Sequence, residues 1–118
     1  MFFVIRRNDE YKIDVREQMR GGNGTVKIEN FVSAAEMNDK GRLLGKIILE
    51  PGSSIGYHIH EHDAEIFYII KGTAQYTDGD KTVTVNAGDT MVCPTGTGHS
   101  IANEGDETVE LIAVIVYE

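Results

Sequence analysis

The sequence predicts an all-β protein built as a sandwich or closed barrel. Short segments rich in Val, Ile, Thr, Phe and Tyr recur at even intervals through its carboxyl-terminal two thirds. Turn residues separate them at Gly72, Asp78-Gly79-Asp80 and Gly88, and no long helical period interrupts the series.

Taken in order, a short apolar strand is expected at residues 2–5, followed by a charged segment that reaches Arg20. The glycine-dense run Met19-Arg20-Gly21-Gly22-Asn23-Gly24 has no Gly-Lys-Ser/Thr after it. It therefore reads as a flexible turn and not as a phosphate loop. Residues 25–32 form a strand candidate with Val26, Ile28 and Asn30 on one side. Ser33-Ala34-Ala35-Glu36 has the form of a capping box, so one helical turn is expected through about Asn38, ended by Gly41. The barrel proper begins with a long apolar strand over residues 42–50, and Pro51, which lacks an amide donor, fixes its end. Further strands are expected at residues 55–60, 65–71, 73–77, 82–86, 90–93, 99–102 and 109–117. Residues 1–118 are thus read as one domain, with 1–40 as an amino-terminal arm and 41–118 as the barrel.

Composition narrows the function. Net charge is −8, which argues against nucleic acid or an anionic membrane surface as partner. No run approaches transmembrane length, and the apolar opening meets Arg6 and Arg7 too early for a secretory signal. Cys93 is the single cysteine, which excludes an intrachain disulfide and fits a reducing cytoplasm.

Chemistry concentrates between Gly52 and Gly72. His58 and His60 are two apart, so on a strand both leave the same face. The polar break Glu61-His62-Asp63 reads as a hairpin turn, and antiparallel pairing across it would bring Glu65 beside both imidazoles. Two imidazoles and a carboxylate form a borderline-soft donor set suited to a divalent transition metal. The same parity sends Phe67 and Ile69 inward beside Glu65. It also puts Ser54 and Gly56 on the side of the histidines, with Ile55, Tyr57 and Ile59 opposite. The pocket is then small and apolar at Phe67 and Ile69, with no inward Arg or Lys from these stretches and no second carboxylate forced into it. His62 is expected to turn outward, Cys93 to be an inert buried thiol, and Tyr57 and Tyr68 to serve strand packing.

A second stretch, Gly88 to Asn103, carries turns at Gly88-Asp89 and Pro94-Thr95-Gly96 before His99. The two stretches together resemble the motifs of the cupin superfamily. Gly52, His58, His60, Glu65 and Gly72 fill its first motif, and Gly88, Pro94, Gly96, His99 and Asn103 fill its second, at the family's spacing. The resemblance implies a double-stranded β-helix, or jelly roll, with His58, His60, Glu65 and His99 as ligands of a divalent metal: manganese, iron, nickel or zinc. It also implies a small-molecule ligand and a homodimer. Cupins with these motifs include dioxygenases, decarboxylases, isomerases and binders without turnover. The expectation is a metal-dependent enzyme acting on a small polar carbonyl or hydroxyl compound, with a non-catalytic ligand-binding barrel as the alternative.

Overall fold

The computed structural model describes residues 3–118, which fold as two antiparallel sheets packed face to face in the jelly-roll manner. Among the described residues there are ten strands: β1 (Lys12–Glu17), β2 (Thr25–Asn30), β3 (Gly41–Leu49), β4 (Ser54–Ile59), β5 (Asp63–Lys71), β6 (Thr73–Asp78), β7 (Lys81–Asn86), β8 (Thr90–Cys93), β9 (Gly98–Ala102) and β10 (Val109–Tyr117). The larger sheet has the order β1-β2-β3-β10-β5-β8, and the smaller has β4-β9-β6-β7.

Period-two alternation builds the core. In β10, Val109, Leu111, Ala113 and Ile115 are buried, and β10 pairs with β3 on one side and β5 on the other. Ile47 and Leu49 of β3, Phe67 and Ile69 of β5, and Ile101 of β9 close on the same core. Each of these side chains except Ala113 contributes roughly 1.5–3 kcal/mol on burial, an upper bound against a compact unfolded chain. Phe67 and Ile69 face inward as their parity requires. Asn103 pins the loop after β9: its amide donates to the carbonyls of Leu49 and Glu107 and accepts from the Gly105 amide.

Four expectations need correction. Phe3, Val4 and Ile5 form no strand and are exposed, while Phe2 lies outside the described residues. The first strand is instead β1, inside the charged segment. It is a sheet edge paired only with β2, and Lys12, Asp14 and Arg16 lie on its inward side, so it carries no hydrophobic signature. The capping box does form, with the Ser33 amide donating to Glu36 Oε1 (2.8 Å) and the Glu36 amide to Ser33 Oγ (3.2 Å). Its helical turn ends at Asn38, in the left-handed region at φ 56°, and Gly41 instead opens β3.

The other two corrections shape the site. β4 and β5 do not pair, because the turn between them carries the chain from the small sheet to the large one. Glu65 therefore meets the histidines across the sandwich and not along a hairpin. Within β4, Gly56 and Tyr57 together oppose a single residue of β9, a bulge that reverses the parity of the strand. Ile55 consequently faces the core at 2% exposure, alongside His58, whereas Tyr57 and Ile59 face out.

Candidate metal centre

Three strands from two sheets deliver the site. His58 lies on β4 directly opposite His99 on β9, His60 follows the end of β4, and Glu65 comes from β5 in the facing sheet. One donor atom from each of the four lies within 4.8 Å of all the others. Glu65 Oε1 stands 3.0 Å from His60 Nε2, 3.0 Å from His99 Nε2 and 3.9 Å from His58 Nε2. The two nitrogens of His60 and His99 are 3.2 Å apart. His60, Glu65 and His99 are buried, and His58 is largely so.

The outer ring nitrogens are engaged, which decides what the inner ones present. His58 Nδ1 donates to the Gly56 carbonyl (2.8 Å) and His60 Nδ1 to Asp63 Oδ1 (2.7 Å), since neither oxygen can donate. In neutral rings, this leaves bare lone pairs at Nε2 of both, aimed at the Glu65 carboxylate. Tyr76 Oη lies 2.9 Å from His99 Nδ1, and the Phe67 ring stacks on His99 at 14°. Arg42 Nε donates to Asp63 Oδ2 at 2.9 Å and so holds the acid that orients His60.

Electrostatics follows this geometry. Burial pushes the Glu65 carboxyl up, but the three surrounding imidazoles outweigh it and hold the group well below the usual carboxylate range, since a ring that takes up a proton turns its Nε2 from a lone pair into a donor to Glu65. Glu65, with help from Asp63, raises His60 against the opposing effect of burial. Burial dominates at His99 and lowers it, because a charged ring there would be poorly solvated. Burial also works against the Asp63 charge, and Arg42 and His60 overcome it, so Asp63 titrates lower than usual. A carboxylate and three imidazoles gathered in a buried space offer their donors to a cation. The donor set, three nitrogens and one oxygen, fits a divalent transition metal.

The four residues named from the sequence meet at one point. His62 does not join them: its side chain is 87% exposed and contacts Glu118. Cys93 is buried against Thr97, and burial raises its thiol, which favours the protonated form. Sequence reasoning missed Asp63 and Arg42. Asp63, three residues after His60 at the start of β5, was within reach of inspection. Arg42 was not, since its aim depends on an irregularity in the β3–β10 pairing, where Gly41 and Leu43 oppose consecutive residues of β10.

The cavity beside the site also departs from expectation. It holds about 620 Å³ and runs from His58, His60 and Glu65 to the amino-terminal arm. Its apolar wall is made by Ile28, Leu43, Ile47, Ile55 and Ile115, not by Phe67 and Ile69, which lie deeper in the core. Arg16, Arg20 and Arg42 line it, as do Asp14 and Glu17. Cations and further acids thus reach the cavity from outside the two motif stretches, which themselves supply no Arg or Lys to it. Tyr57 and Tyr68 lie on neither this wall nor in the core.

Residues 45–115 match the model of the cupin domain family. The chain is a cupin. A curated relative from Thermotoga maritima, described as an oxalate-binding protein, is 38% identical to this cupin over 113 residues, covering 96% of the chain and 93% of the relative. A crystal structure of a predicted oxalate decarboxylase from the same organism superposes with a TM-score of 0.93 at 37% identity, covering 98% of this cupin and all of that chain. Mannose-1-phosphate guanylyltransferase 2 of Escherichia coli O157:H7 is 38% identical over 69 residues. The match covers 58% of the cupin but only 14% of that enzyme, so it concerns the barrel alone.

Proposed function

We propose that this cupin binds one divalent transition metal through His58, His60, Glu65 and His99, and that the metal takes a small carboxylate ligand of the oxalate type. The observation that carries the reading is the convergence of these four donors, with two Nε2 lone pairs aimed at an ionised carboxylate, at the closed end of a cavity. When bound, manganese, iron, nickel or zinc would supply a Lewis acid with two coordination positions free for a chelating ligand. The chain's own residues prepare that position. Asp63 and Arg42 fix the His60 ring, Phe67 and Tyr76 fix His99, and the apolar wall from Ile47, Ile55 and Ile115 excludes water on one side. The full-length similarity to a protein described as oxalate-binding supports the ligand class.

The test is titration of oxalate into protein stripped by chelator and reloaded with manganese. One oxalate per metal, with no binding to the stripped protein, is the expected result. Failure to retain any of the four metals after desalting would falsify the reading. A second reading, turnover of the bound acid, is favoured by the likeness to the chain described as a predicted oxalate decarboxylase. It requires release of carbon dioxide and formate from oxalate and a proton. Metal-loaded protein that binds oxalate and yields neither product is a binder.

We further propose that residues 1–118 act as one domain in a reducing, cytoplasmic setting, to which the single buried thiol of Cys93 is suited. Among the described residues no helix is long and apolar enough to cross a membrane. A homodimer is supported by the uncovered outer face of the larger sheet, where Tyr68, Ile70 and Val92 are exposed. Light scattering coupled to gel filtration tests it, and a monomer at micromolar concentration would refute it.

A further inference from the structure

The arm that lines the far side of the cavity is built with unusual care for a surface segment. Gln18 and Arg20 both sit in the left-handed region, at φ 50° and 55°, a conformation side chains other than glycine seldom adopt. The turn is pinned to β4, just upstream of His58. The Ser54 amide donates to the Asn23 carbonyl and the Asn23 amide to Ser54 Oγ, each at 2.9 Å. The approach is so close that a Cβ at Gly56 would collide with the Arg20 carbonyl, and one at Gly22 with the Ser54 carbonyl. The strain is therefore held by the strand that carries the site, and its product is the placement of Gln18, Met19 and Arg20 on the cavity wall.

Among the described residues, two guanidinium groups on this wall, both solvent-exposed, lack protein partners. Arg42 is tied to Asp63, but among the described residues neither Arg16 nor Arg20 takes part in any ion pair or side-chain hydrogen bond. Arg16 lies opposite the buried Val26 across the β1–β2 ladder, which places it on the inward side. The acids on the same wall are placed so that neither pairs with Arg16 or Arg20 among the described residues. Asp14 is held by Asn30 and keeps its charge on the inward face beside Arg16, so it offsets one cation of the three, and Glu17 lies opposite the exposed Thr25, on the outward parity of Val15. The cavity, about 620 Å³, has the volume of roughly twenty waters, several times what oxalate occupies.

From these observations we propose that the cavity takes a two-ended acid longer than oxalate: one end chelates the metal, and a distal carboxylate is read by Arg16 and Arg20. The arm is then the wall that sets ligand specificity, and β4 holds it in register with the metal. This rests on the reading of the site as a carboxylate-binding metal centre, and the experiment separates the two.

Manganese-loaded protein is titrated with oxalate, with 2-oxoglutarate, and with 2-oxopentanoate, which keeps the chelating end of 2-oxoglutarate and replaces its distal carboxylate by a methyl group. The expected result is at least about tenfold tighter binding of 2-oxoglutarate than of 2-oxopentanoate, the worth of one charge-assisted contact. In Arg20→Gln and Arg16→Gln the ratio falls toward unity, and in Arg20→Lys it is partly restored. Both acids are measured on every variant, so a general loss of folding cannot imitate a change in their ratio. Oxalate binding together with a ratio near one in the unaltered protein would overturn this proposal and leave the carboxylate-binding metal centre standing. A large ratio that survives both Gln variants would also overturn it. Loss of all three ligands would remove the metal-centre reading and this one together.

Discussion

The two ends of the cavity are built on opposite principles. At the inner end His58, His60 and His99 each have their outer nitrogen engaged, and their inner nitrogens turn to one carboxylate. At the outer end Arg16, near the end of β1, and Arg20, on the following turn with its two left-handed residues, stand without side-chain partners among the described residues. A closed set of donors suits an ion that stays, and unpaired charges at an open wall suit a ligand that comes and goes. On the reading proposed above, the contrast separates what would hold the metal from what would select the ligand.

The contrast can be broken most severely at the inner end. Replacing His99 by Ala removes a donor, and metal affinity should fall by more than about 100-fold, beyond the loss typical of a supporting partner. Metal content after desalting measures it, and stoichiometric metal in this variant would exclude His99 as a ligand. Asp63→Asn removes the charge that orients His60 and should weaken metal about 10–100-fold. Arg42→Ala should do the same to a smaller extent, both read by competition with a chelator.

Protons compete for the same nitrogens, so metal affinity should fall as pH falls. His60 is raised by Glu65 and Asp63 in the metal-free protein, so the decline should begin above the ordinary histidine pKa of about 6.5. Affinity measured from pH 8 to pH 5 checks the sign, and a flat profile would argue against imidazole ligation. In the metal-free protein, the lowered carboxyls of Glu65 and Asp63 contribute stability above the ordinary carboxylate pKa. That contribution should be lost as pH drops through their folded values.

At the join between the two ends, Gly56→Ala should push the arm away from β4 and cost about 1–3 kcal/mol in denaturant unfolding. The smallest effect is expected at His62, whose exposed ring points away from the site. His62→Ala should leave metal content unchanged, and a loss there would bring the turn into the ligand set.

The same division separates what could be read in the sequence. The barrel strands were legible because apolar residues alternate between glycine-marked turns. The four converging residues were legible because their spacing follows a family pattern. The arm was not. β1 is an edge strand with a polar inward side, and the apolar run before it finds no strand partner among the described residues. Nor did the spacing reveal that the short turn at residues 60–62 crosses between sheets, which is a decision of tertiary packing. Bulges at Gly56-Tyr57 and near Arg42 are equally silent in one sequence, yet they turn Ile55 to the core and Arg42 toward Asp63.

The central claim is that one metal ion sits among His58, His60, Glu65 and His99. Crystals of the manganese-loaded protein, measured at the manganese absorption edge, test it directly. A single anomalous peak within bonding distance of His58 Nε2, His60 Nε2, His99 Nε2 and a Glu65 carboxylate oxygen is the result expected. A peak elsewhere, or none from protein that was offered the metal in excess, would contradict it.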